Sequence, residues 1–129
     1  MDTHLTVKRC KSDYAETVKR LGKAIERRGL RLFALIDHAA AAREVGLELG
    51  NEQVFIFGDP RGGTPLMQED PRVGIELPLR MLVWEDDQGT TLAYHDPREF
   101  AVSYEVREHR PILEAMANML HSLADEASS

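Results

Sequence analysis

The chain of 129 residues has a single cysteine, Cys10, so no internal disulfide can staple it. It has no run of about 18 apolar residues, the length at which a helix crosses a bilayer, so no membrane partner is expected. Basic residues are in the minority, 16 Lys and Arg against 22 Asp and Glu, and they lie scattered in ones and twos. A net charge of −6 repels phosphate backbones, which speaks against nucleic acid as a partner. Several motifs of familiar chemistry are also absent. There is no CxxC, HxxxH or HxH pair for a metal, no Gly-Lys-Ser/Thr phosphate loop, and no nucleophile motif around Ser103 or Ser122. The opening MDTHLTVKRC lacks the charged-then-apolar pattern of a secretory signal, so the expected location is the cytoplasm.

What is present fits one domain spanning 1–129, long enough to bury roughly two-thirds of its unfolded surface without a disulfide or structural metal. No repeat or low-complexity tract divides it, and residues 124 to 129 are expected to fray as a tail. The stretch Gln53 to Gln68 organises the rest. Val54, Phe55, Ile56 and Phe57 read as a strand buried on both faces, placed at the centre of the sheet. Gly58, Pro60, Gly62 and Gly63 end it, and Thr64-Pro65 is read as the cap and first residue of a new helix.

The remaining elements follow from the same grammar. His4 to Cys10 alternates as an edge strand. Asp13 and Glu16 start a helix with Tyr14, Val18, Leu21 and Ile25 on one stripe, closed by Gly29. Leu30 to Ile36 is apolar enough to be an interior strand, and Asp37 to Gly46 a short alanine-rich helix. Asp70-Pro71 stops the helix that follows Thr64, and one turn leads to Pro78. Leu79 to Trp84 and Thr90 to His95 form a hairpin. Asp96-Pro97 opens a short helix, and Pro111 a long one with Ile112, Met116, Met119, Leu120 and Leu123 on its stripe. This order predicts an α+β fold, a mainly antiparallel sheet of about five strands covered on one face by helices. A second copy of the chain is the simplest cover for the other face.

Four motifs carry a family resemblance. They are Ile36-Asp37-His38 with its four alanines, Phe57-Gly58-Asp59-Pro60 with Gly63-Thr64-Pro65-Leu66-Met67, Leu77-Pro78-Leu79, and Tyr94-His95-Asp96-Pro97. In this order and spacing, over about residues 7–123, the chain resembles the domain-of-unknown-function 302 family. The resemblance implies a TATA-binding-protein-like topology, β-α-β-β-β-β-α, and a homodimer, but no activity. Where that family often has asparagine, this chain has Asp59 and His95.

The expected site gathers the strand ends into one hollow lined by Asp37, His38, Gly58, Asp59, Arg61, Gly63, Thr64, Met67, Tyr94 and His95. Its leading use is to bind a small molecule or an anion, with Gly58 to Thr64 as a backbone cradle and Arg61 at the rim. An enzyme with His38 as base and Asp37 orienting it is the alternative, and a structural dimer without ligand is the third reading. Each residue also has a plain structural role. Asp37 can simply cap, glycines can simply turn, and Met67, Met116 and Met119 can simply pack. Met67, His38, His95 and Cys10 would suit copper or zinc only if they converged, so no metal and no cofactor is assigned.

Overall fold

A computed structural model describes residues 4–129; residues 1–3, part of the stretch read for a secretory signal, lie outside the described residues. Helix α1 (Tyr14–Arg27) begins where Asp13 accepts the Glu16 N–H at 2.8 Å. It buries Thr17, Leu21, Ala24 and Ile25, and it ends at Gly29, whose φ of 69° suits a residue without Cβ. On either side of it run β1 (Leu5–Arg9) and β2 (Arg31–Asp37). Then come α2 (His38–Glu44), β3 (Glu52–Gly58), α3 (Pro60–Glu69) and a 3-10 turn at Pro71–Glu76. The hairpin is β4 (Leu79–Asp86) and β5 (Gly89–His95), followed by the short α4 (Phe100–Ser103) and the long α5 (Arg110–Ser128).

The five strands lie in the order β1-β5-β4-β3-β2, and every neighbouring pair is antiparallel. Register fixes the faces. Phe55 sits beside Met81, Phe57 beside Leu79 and Val83 beside Leu92, all of them buried on one face. Against that face α1 packs Leu21 and Ile25, and α5 packs Leu113, Leu120 and Leu123. Each such fully buried side chain contributes roughly 1.5–3 kcal/mol. The opposite face carries the register row Val7, Ala93, Leu82, Val54 and Ile36, none of which joins the core cluster.

The structure corrects the sequence reading in five places. The middle strand is β4, with β3 interior beside it. β2 is an edge strand, and Leu32, Phe33, Leu35 and Ile36 are each more than 40% exposed. Its apolar run mimics an interior strand because hydrophobicity at every position cannot tell burial on two faces from an apolar edge. Helix α3 starts at Pro60, capped by Asp59, so Gly62 and Gly63 are helical and Pro65 lies inside the helix. Asp59-Pro60 is an earlier, equally valid start signal than Thr64-Pro65.

The fourth correction concerns residues 124 to 129, which do not fray. α5 continues to Ser128 with Ala124, Ala127 and Ser128 buried. The Lys11 N–H donates to the Ser128 carbonyl at 2.8 Å, Ser12 Oγ to the Ser129 carbonyl at 3.1 Å, and Lys8 pairs with Asp125. α5 is also rotated from the expected stripe. Leu113 and Ala117 are buried, whereas Ile112, Met116 and Met119 lie partly exposed beside the core.

One local device occurs three times. Asp59-Pro60-Arg61, Asp70-Pro71-Arg72 and Asp96-Pro97-Arg98 each place Asp at a helix cap, Pro at the first position, and an Arg that folds back on the cap. In each the carboxylate accepts the Arg backbone N–H at 2.9 to 3.0 Å and also the Arg guanidinium. Only Asp70 is buried, with its side chain 5% exposed, and it also accepts the Glu105 N–H at 2.9 Å. The Arg72 guanidinium and these backbone donors hold the Asp70 carboxyl well below the usual carboxylate range.

Two predictions follow from the packing. Removing residues 124 to 129 should destabilise the fold by at least about 1–3 kcal/mol in urea unfolding, because it opens a buried helix face; an unchanged midpoint would mean the tail is dispensable. Because the Asp70 pKa is lowered in the folded state, its contribution is complete above the ordinary Asp value of about 3.9 and is lost as pH falls below it. The stability gap between wild type and Asp70→Asn should therefore be largest near neutrality and narrow below about pH 4. A gap independent of pH would show that the charge of Asp70 does not matter.

Candidate ligand cavity

The C-terminal end of β3 leads straight into the cap of α3, and the space beside this junction is a cavity of about 270 Å³. Gly58 and the Leu77-Pro78-Leu79 segment form one side of it, with the Leu77–Pro78 peptide bond in cis. α3 supplies Gly62, Gly63, Thr64 and Met67, α5 supplies Met116 and Met119, and the β2 side supplies Leu30 and Phe33. Gly62 and Gly63 sit close against lining side chains. A Cβ at Gly62 would come within 3.4 Å of Met116 Cε, and one at Gly63 within 3.5 Å of Leu77 Cδ1. Flexible thioether side chains on two facing helices give a wall that can adapt to shape.

Electrostatics determine what this cavity can hold. Asp59 is its one charged lining residue among those described, and its carboxylate is already engaged. Oδ1 accepts Arg61 N at 2.9 Å, and Oδ2 accepts Arg61 Nη2 at 2.7 Å. The Arg61 guanidinium thereby holds the Asp59 carboxyl below its usual range. The Gly62 and Gly63 N–H groups donate to the Asp59 carbonyl at 2.9 and 3.2 Å. The anion cradle expected from Gly58 to Thr64 is therefore a closed helix start whose donors serve the chain itself. Arg61 is exposed and does not line the cavity.

The expected single hollow divides into separate places. Gly58, Asp59, Gly63, Thr64 and Met67 come together at the cavity. Asp37 and His38 do not join them, because β2 and β3 are antiparallel: Arg31 pairs with Gly58 and Asp37 with Gln53. Five residues of strand separate those pairs, about 17 Å. Asp37 caps α2, accepting the Ala40 N–H at 2.9 Å and Gln53 Nε2 at 3.4 Å, while His38 is exposed. That end of the sheet is acidic. Burial first, then the charges of Asp37, Glu52 and Glu85, push the Tyr14 hydroxyl up to about 12.

Tyr94 and His95 lie at the cavity's end of the sheet but outside the cavity. The Tyr94 ring is in the core, and burial raises its hydroxyl pKa. His95 lines a separate, much smaller cleft of about 20 Å³ with Glu76 and Arg80. Met116 and Met119, read as packing residues, prove to line the cavity. Their spacing of three puts both on one helix face, but nothing in it tells an open space from a filled core. Among the described residues no group of three or more His, Cys, Asp or Glu is placed to hold a metal, and no helix is long and apolar enough to cross a membrane.

Comparison with known proteins places this geometry in a family. A 98-residue stretch is 38% identical to proteins named fluoride-specific ion channel FluC 1 in Brucella suis and Brucella abortus. The match takes in 75% of this chain but only 39% and 36% of those proteins, so the chain spans under two-fifths of their length. The crystal structure of an uncharacterized conserved DUF302 protein from Bacillus stearothermophilus superposes with a TM-score of 0.85 at 16% identity. It covers 98% of this chain and 99% of that one, a likeness of fold. Residues 5–127 match the family described as domain of unknown function DUF302, and the chain belongs to that family.

Proposed function

We propose that this domain is a self-associating, small-molecule binding module whose ligand is uncharged and largely apolar, held between α3, α5 and the β3 end of the sheet. The observation that carries this reading is an open space bordered almost wholly by apolar side chains, Phe33, Met67, Leu77, Leu79, Met116 and Met119. An open cavity forfeits packing contacts and so costs stability. A binding role accounts for that cost. At about 270 Å³ the space is at or just below the small end of ligand pockets, so the ligand is small. An apolar wall without a free cation favours a neutral molecule over an anion.

Acid–base catalysis by Asp37 and His38 gains no support from this geometry, since they stand apart from the cavity. Fluoride passage forms no part of the reading either. That name belongs to proteins mostly outside the matched stretch, and the Gly62 and Gly63 N–H groups beside the cavity are engaged with the Asp59 carbonyl.

The test is a titration with 1-aminoanthracene, an uncharged fluorescent probe. Gly63→Leu and Met116→Trp, which fill the cavity from opposite walls, should each weaken probe binding at least about tenfold, or 1.4 kcal/mol. His38→Ala should leave probe binding unchanged and shift unfolding by no more than about 0.5 kcal/mol. Wild-type binding in both cavity variants would overturn the reading.

A further inference from the structure

Sulfur is unevenly placed in this chain. Of its five methionines, Met1 lies outside the described residues, Met81 is fully buried in the core, and Met67, Met116 and Met119 line the cavity. These three come from two elements, α3 and α5, so it is the packing of the fold that gathers them. Met67 is 37% exposed, and Met116 and Met119 are partly exposed beside the core. An oxidant in water therefore reaches three thioethers at one place, and reaches Met81 only if the core opens. The single cysteine does not compete. Cys10 lies outside the cavity lining, and burial pushes its thiol pKa up, leaving little reactive thiolate at neutral pH.

A thioether and its sulfoxide make different walls. Oxidation turns a flexible apolar side chain into a polar one, whose new oxygen needs a hydrogen-bond donor. Among the described lining residues Thr64 has the one side-chain donor, and the Gly62 and Gly63 N–H groups already serve the Asp59 carbonyl. Three such oxygens outnumber the donors of the wall, so water must enter to pair the rest. A wetted wall no longer receives an apolar molecule. We propose that the cavity is also a modification site, at which hydrogen peroxide oxidises Met67, Met116 and Met119 to sulfoxides and the apolar ligand is released. In each step a sulfur lone pair attacks one peroxide oxygen, and the S–O bond forms as the O–O bond breaks. The departing hydroxide takes the proton of the attacked oxygen and leaves as water, so sulfur loses two electrons and the peroxide gains them.

This inference rests on the proposed binding of an apolar molecule and adds how that binding is switched. The test treats the full chain with hydrogen peroxide, removes the excess, maps the oxidised peptides by mass spectrometry and titrates 1-aminoanthracene. Met67, Met116 and Met119 should gain oxygen before Met81, and the oxidised chain should bind the probe at least about tenfold more weakly. Methionine sulfoxide reductases A and B with a thiol reductant should restore binding. Cys10→Ser should lose binding on oxidation as wild type does. In the triple variant Met67→Leu, Met116→Leu, Met119→Leu, whose swaps nearly conserve volume, peroxide should leave the variant's own affinity for the probe unchanged. Circular dichroism melting should show the oxidised chain still folded. Untreated wild type that does not bind the probe would overturn the binding reading and this switch with it. Binding that survives conversion of all three methionines would overturn the switch alone. So would loss of the fold on oxidation, oxidation of Met81 as early as the other three, or a triple variant that still loses affinity in peroxide.

Discussion

The antiparallel ladder from β2 to β5 is the constraint on which the rest of the structure depends. In such a ladder the end of one strand meets the beginning of the next, so the C-terminal ends of β2 and β3 must lie at opposite ends of the strands. Asp37 and Gly58 both follow an apolar strand and both precede a helix, which makes them look equivalent in sequence. The ladder separates them. It leaves one end with α2 and a gathering of carboxylates, and the other with β3, α3, Pro78 and His95.

At the second end, small residues and helix starts act together. Gly62 lies close against Met116 of α5 and Gly63 against Leu77, and methionines from both helices border the cavity. The start of α3 is fixed by the Asp59 cap, and Asp59 is in turn gripped by Arg61. Charge at the rim is therefore neutralised locally, and the interior of the cavity stays apolar. The same Asp-Pro-Arg device fixes the turn before β4 and the turn after β5. Its buried copy, Asp70, ties the β3–β4 connection to the backbone at Glu105 across 35 residues of chain.

The side of the sheet that α1 and α5 leave open and the unpaired β2 edge meet at Ile36, which belongs to both. Apolar surface left there has the same origin as the core. The strands are rich in Val, Ile, Leu and Phe, but the helices α1 and α5 pack on one face. Interior β3 hides its surplus between two neighbours, whereas β2 cannot, having a neighbour on one side only.

The sequence by itself determined the kind and order of the elements, because capping residues, proline positions and hydrophobic period act over a few residues. The α1 cap at Asp13, the β4–β5 hairpin and the helix after Asp96 all stand where the residues put them. It also determined the fold class and the family, whose motifs are local strings. Tertiary structure alone decided which strand is central, that β2 is an edge, that the C-terminal turn is bound down, and that Gly58 shares a site with Met116 but not with His38. These are properties of pairing partners far apart in sequence. A residue's local pattern specifies the conformation it prefers, and only the neighbours the sheet brings to it specify whether it faces a core, a cavity or a free edge.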